Sequence, residues 1–105
     1  MVRGEVFRLP DLRGRGHVQR GPRFVVVVQA DELLALSTVI VAPTSTRARD
    51  ASFRPRIELD GDTTSILTDQ LRAVDCSKLG DSAGRLSADE ISALDDALEL
   101  VLGLR

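Results

Sequence analysis

The chain has no tryptophan or tyrosine and only three phenylalanines among its 105 residues. Valine, leucine and isoleucine must therefore fill the interior, and an aromatic platform of the kind that stacks nucleotide bases is nearly excluded. One cysteine, Cys76, cannot form an internal disulfide, and one histidine, His17, leaves no Cys/His cluster to hold zinc. No metal or other cofactor is expected, and the cysteine usage fits a reducing, cytoplasmic setting. No apolar run approaches the roughly 20 residues that cross a bilayer, and the N-terminus lacks the apolar core of a secretory signal. The expectation is a soluble protein with no membrane role. A nucleotide-binding glycine motif is missing too, because Gly14-Arg15-Gly16 lacks the third glycine and the following helix.

Lysine is nearly absent: 13 of the 14 basic residues are arginine, whose planar fork suits bidentate phosphate contact. The net charge of −2 hides an asymmetry. Residues 1–56 carry ten Arg against five acids, whereas residues 57–105 carry four basic residues against eleven acids. The first half reads as directed at polyanions, although an arginine-heavy composition also follows from coding bias.

The run Arg23-Phe24-Val25-Val26-Val27-Val28-Gln29 is rich in β-branched residues and reads as a strand buried on both faces, the spine of a sheet. Before it, Val6 and Phe7 predict a first strand stopped by Pro10. Asp11 to Pro22 then forms a loop in which Gly14, Gly16 and Gly21 alternate with Arg13, Arg15, His17 and Arg20. After the spine, Asp31 to Leu36 predicts a helical turn or a loop over a sheet edge. Thr38 to Ala42 predicts a buried strand ended by Pro43, and Ile57 to Leu59 a short strand closed by the Asp60-Gly61-Asp62 turn. Ser65 to Thr68 and Leu71 to Val74 predict the last strands, joined through Asp69 and Gln70.

Ser87-Ala88-Asp89-Glu90 is a capping box, and Ile91, Leu94, Leu98, Val101 and Leu102 recur at helical spacing behind it. The pattern is mainly β with a C-terminal α-helix, a small open barrel or strongly bent antiparallel sheet in one domain over residues 1–105.

Three places could hold phosphate: Arg23 where the loop enters the spine strand, the Gly/Arg loop itself, and Thr44-Ser45-Thr46-Arg47-Ala48-Arg49. Hydroxyls beside guanidinium groups are common equipment for gripping phosphate and sugar, although such Ser/Thr clusters also simply form turns. A single loop histidine is more often solvated than catalytic, and Cys76 reads as a small packed residue.

The same residues resemble a known family. Val2-Arg3-Gly4-Glu5-Val6 is similar to the opening strand of the MazF/PemK-type toxins. Gly16-His17-Val18-Gln19-Arg20-Gly21-Pro22-Arg23-Phe24 is similar to their pattern Gly-Ser-Glu-Gln-x-Gly-x-Arg-Pro. Val41-Ala42-Pro43-Thr44-Ser45-Thr46 resembles Val-x-Pro-Ile-Thr-Ser, and Asp69-Gln70-Leu71-Arg72-Ala73-Val74-Asp75 resembles Asp-Gln-Ile-Arg-Thr-Val-Asp. Gly84-Arg85-Leu86-Ser87 and Leu100-Val101-Leu102-Gly103-Leu104 complete a match in order along nearly the whole chain.

The resemblance implies a small SH3-like barrel, the MazF/CcdB-like toxin fold, in a homodimer. It implies the toxin of a bacterial type II toxin–antitoxin pair, a metal-independent, sequence-specific endoribonuclease (mRNA interferase) acting on single-stranded RNA. The substrate 2′-hydroxyl attacks, leaving 2′,3′-cyclic phosphate and 5′-hydroxyl ends. By position the catalytic Arg falls on Arg23 and the catalytic Thr on Ser45, while the loop Glu falls on Val18, which cannot exchange protons. His17 is the candidate for taking the 2′ proton. Arg13, Arg15, Gln19, Arg20, Thr44, Thr46, Arg47, Arg49 and Gln70 are the candidate RNA-binding residues. The implied partner is a cognate, MazE-like antitoxin with an acidic, disordered C-terminal segment. The alternatives are a gyrase-binding, CcdB-like toxin and a catalytically degenerate module that binds antitoxin.

Overall fold

The computed structural model describes residues 1–10 and 23–105. Seven strands follow in chain order: β1 (Glu5–Leu9), β2 (Arg23–Val27), β3 (Thr38–Ser45), β4 (Arg56–Leu59), β5 (Asp62–Ile66), β6 (Arg72–Asp75) and β7 (Ser82–Arg85). One helix, α1 (Ala88–Leu102), closes the chain. The strands form one antiparallel, nearly closed sheet in the order β4-β5-β3-β2-β1-β7, with β6 also paired to β3. This is the small barrel with a C-terminal helix expected from the sequence.

The spine strand buries both faces because its alternate residues enter different clusters. Val26 joins Val6, Ala42, Ile57, Ile66 and Leu86 against Leu94 and Leu98 of α1. Val25 and Val27 point the other way, to Leu9, Val39, Val41 and Val74. A period-2 strand that reads as continuously apolar must have such a layer on each side.

Strand β3 organises the sheet. Along one edge it pairs with β2; along the other it pairs with β6 through Thr38 to Val41, then with β5 through Thr44 and Ser45. Pro43, expected to end this strand, instead lies inside it. Val28 N–H donates to the Ile40 carbonyl at 3.1 Å, which fixes the hydrogen-bonding phase of the β2–β3 ladder. In that phase the Pro43 nitrogen faces the other edge, in the gap where β6 has ended and β5 has not begun, so no ladder bond is lost. The Pro43 carbonyl there accepts from Leu67 N–H at 2.8 Å.

Other expectations shift at their edges. Asp31–Leu33 is a single 3₁₀ turn, and Thr68–Gln70 is another, so Leu67 and Thr68 leave the strand that was expected to hold them. Asp60 (φ 53°) and Gly61 (φ 82°) form a two-residue hairpin between β4 and β5, which the Asp-Gly pair anticipated. Strand β7 has no β-branched residue to announce it; its pairing with β1 makes it a strand.

Helix α1 begins as its capping box requires: the Ser87 hydroxyl accepts from Glu90 N–H at 3.1 Å and Glu90 Oε1 accepts from Ser87 N–H at 2.9 Å. The other Glu90 oxygen accepts from Glu58 N–H at 3.1 Å, tying the helix start to strand β4. Leu94, Ala97 and Leu98 are buried, whereas Leu102, expected in the apolar stripe, is 53% exposed because the last turn runs past the sheet. Gly4, just before β1, has φ +88°, the left-handed region that favours glycine, and a Cβ there would press on the Ile91 Cδ1 of α1 at 2.9 Å.

Two substitutions test this packing. Leu94→Ala should lower unfolding free energy by about 2–5 kcal/mol in urea titrations, since Leu94 is fully buried in the cluster between α1 and the sheet. Ser87→Ala should lose about 1 kcal/mol, one capping interaction.

Candidate active site

The site is built at the end of β2 and β3. Their register pairs Val27 with Val41, Val26 with Ala42 and Val25 with Pro43. Past the last pair of that ladder, Arg23 lies two residues beyond Val25 along β2 and Ser45 two residues beyond Pro43 along β3. The Thr44 hydroxyl donates to the Phe24 carbonyl at 2.9 Å, which holds the strands together over this extension. Arg23 also pairs with Leu9 of β1. Arg23 and Ser45 therefore share one sheet face, the face of Val25 and Pro43, and lie just beyond the end of its apolar cluster. The α1 face lies on the opposite side.

Both residues are half-buried. Ser45 Oγ accepts from Arg47 N–H at 3.1 Å, and among the described residues its own proton has no acceptor. Next to it runs the loop from Thr46 to Pro55, carrying the exposed Thr46, Arg47 and Arg49. Among the described residues, no carboxylate forms an ion pair with Arg23, Arg47 or Arg49. Arg54 and Arg56 of the same basic segment are committed instead, to Asp69 and Asp50. Among the described residues the charge asymmetry is thus thinned by pairing, and Arg47 and Arg49 stay without a carboxylate in the loop that follows Ser45.

The other candidates divide by position. Thr44 contributes a structural bond, since its proton goes to the Phe24 carbonyl. Gln70 ends the 3₁₀ turn Thr68–Gln70 and is exposed, one residue from the Asp69 paired with Arg54. Arg13, Arg15, His17, Gln19 and Arg20 lie outside the described residues. Arg72 is a cation that inspection of the sequence passed over as a binding residue, although it sits in the Asp69–Asp75 motif. It pairs with Val41 and so shares the face of Arg23 and Ser45 through alternation, exposed and without a described carboxylate partner. Only the register of β3 with β6 reveals this. Among the described residues no group of three His, Cys, Asp or Glu side chains converges as metal ligands would.

The Arg54 guanidinium, hydrogen-bonded to both oxygens of Asp69, holds that carboxyl below the usual aspartate range. A lowered carboxylate pKa contributes stability that is present above the ordinary aspartate value and is lost as pH falls through the lowered one. Urea midpoints followed down the acid limb should therefore decline less steeply in Asp69→Asn than in the wild type, with the two curves differing most near neutrality.

Comparison with known proteins follows this geometry. Residues 2–102 match the family described as PemK-like, MazF-like toxin of type II toxin-antitoxin system. A Mycobacterium tuberculosis (strain ATCC 25618 / H37Rv) protein named "Putative toxin Rv3098A/RVBD_3098A" is 38% identical over 107 residues, covering 99% of each chain. The fold is shared with a mycobacterial endoribonuclease in complex with its cognate antitoxin (TM-score 0.82, 20% identity, 100% of this chain and 97% of that one). It is shared also with the Mycobacterium tuberculosis toxin MazF-mt6 (TM-score 0.77, 18% identity, 96% and 98%). Deinococcus radiodurans MazF is similar again (TM-score 0.76, 22% identity, 98% and 96%). With the family pattern matched from the first strand through the last helix, the chain belongs to the PemK-like, MazF-like toxins of type II toxin–antitoxin systems.

Proposed function

We propose that this toxin, an endoribonuclease by family, cuts single-stranded RNA at the Arg23–Ser45 face by internal attack of the substrate 2′-hydroxyl, without a metal ion. The observation that carries the reading is the strand alternation that puts a permanently charged guanidinium and a hydroxyl on one sheet face, beside Arg47 and Arg49, which pair with no carboxylate among the described residues. In such a reaction the nucleophile belongs to the substrate, so the protein's work is charge stabilisation. As the 2′ oxygen bonds to phosphorus, negative charge grows on the equatorial oxygens; Arg23 balances it and Ser45 donates a hydrogen bond to one of them. The P–O5′ bond then breaks, leaving 2′,3′-cyclic phosphate and a 5′-hydroxyl. His17 is proposed as the group that takes the 2′ proton, from its place in the loop whose family Glu is replaced by Val18.

Bases of an unstacked strand are read by polar side chains along the same rim, as sequence-specific RNA recognition commonly works on single strands. Thr46, Arg47, Arg49 and Gln70 are proposed to line this rim, joined by Arg13, Arg15, Gln19 and Arg20. A cationic rim of this kind also suits an acidic antitoxin segment that folds on contact. The mycobacterial neighbour in complex with its antitoxin supports that partner. We further propose a homodimer, supported by the exposed Leu33, Leu36, Ile40, Leu100, Leu102 and Leu104, which one copy leaves in water.

The test is cleavage of a long RNA with mapped ends. An oligonucleotide with 2′-deoxy at the cut position should survive intact, EDTA should not slow the wild type, and Arg23→Ala should lower kcat by roughly 10²–10³-fold. Cutting of the deoxy substrate would sink internal attack. Equal activity of wild type and Arg23→Ala would reject the site, and gyrase inhibition with RNA untouched would favour the CcdB-like alternative.

A further inference from the structure

Between β3 and β4, residues 46–55 cross the rim with no helix or strand of their own, yet they carry two of the cations assigned to RNA. Arg56 pairs with Asp50 at the β4 end, and Arg54 makes the largest set of side-chain contacts that hold them. Arg54 Nε donates to Asp69 Oδ1 at 3.0 Å, Nη2 donates to Asp69 Oδ2 at 2.8 Å, and Nη1 donates back to the Arg49 carbonyl at 3.4 Å. The same guanidinium lies 5.4 Å from the centre of the Phe53 ring. Its three nitrogens thus join Arg49, within the loop, to Asp69, outside it.

Asp69 is itself on firm ground. Its 3₁₀ turn starts from Leu67, whose N–H donates to the Pro43 carbonyl, and the buried Thr68 donates its hydroxyl to the Phe53 carbonyl. Two adjacent residues of one turn therefore grip two adjacent residues of the loop, and Arg54 carries the grip across to Arg49.

We propose that Arg54 and Asp69 are positioning residues whose ion pair fixes the 46–55 loop, so that Arg47 and Arg49 meet the phosphates of an RNA strand in one arrangement relative to Arg23 and Ser45. This rests on the nuclease reading above and adds to it residues that touch neither the scissile phosphate nor the reacting atoms. A solvent-bordering ion pair adds little to global stability, so the fold should outlast its removal. Its consequence is geometric. Lysine offers a single point of charge and cannot make the forked contact together with the Arg49 bond. Contacts to flanking phosphates are made in ground state and transition state alike, so loosening them should raise KM and leave kcat nearly unchanged.

The experiment measures kcat, KM and urea midpoint for wild type, Arg54→Lys, Asp69→Asn and the double variant on an RNA oligonucleotide with one mapped cut. Each single change should raise KM roughly tenfold with kcat close to wild type. The double should be no worse than the more harmful single, because both act through one contact. Unchanged KM in both singles, additive losses in the double, or a loss confined to kcat would overturn the proposal. Amide hydrogen exchange of the 46–55 segment, measured without RNA, separates it from the nuclease reading. Arg54→Lys should speed exchange there and leave β2 and α1 protected, and unaltered exchange would overturn the proposal even if the wild type cut no RNA at all.

Discussion

The antiparallel register between β2 and β3 is the constraint on which the remaining structure depends. A shift of one residue would turn Val25, Val27, Val39 and Val41 out of one cluster and drive Val26 and Ala42 out of the other. Both clusters are made of buried apolar side chains, so a slip in register would be costly. Because Arg23 and Ser45 continue the same two strands past the end of that ladder, their shared face is set by the alternation of the packed residues before them. The proposed catalytic pair is in effect a consequence of where the valines go.

Strand β3 is also where the sheet changes partner, and this shapes the site. As β6 gives way to β5 along one edge, the strand passes through Pro43, bends, and delivers Ser45 and then the Thr46–Pro55 loop to the rim. A proline is tolerated there because the position needs no donor. The carbonyl it keeps anchors the turn that holds Asp69, so one residue serves strand, turn and loop together.

The arginines show how tertiary pairing sorts a composition. Ten of them crowd the first half of the chain, but their duties differ. Arg3 bonds to Asp95 and to the Val28 carbonyl and so docks α1; Arg54 and Arg56 are spent on Asp69 and Asp50. Arg23, Arg47 and Arg49 keep their charge for solvent or ligand, as far as the described residues extend. A count of charge had pointed to a polyanion; which guanidinium groups are available to one follows from the carboxylates folded against the others.

Sequence alone determined the strands whose signals are local and apolar, the Asp60-Gly61 hairpin, and the capped helix, since periodicity, turn chemistry and capping act within a few residues. Through ordered motifs it also indicated the family and the pairing of Arg23 with a hydroxyl at Ser45. Only the tertiary structure decided that Pro43 lies within a strand, that Ser82–Arg85 is one at all, that Leu102 stays exposed, and that Thr44 is a structural bond. It alone brought Arg72 to the face of Arg23 and Arg54 to Asp69. Those outcomes depend on partners far apart in the chain, and a hydrogen bond or an ion pair between distant residues leaves no mark on the spacing of either one.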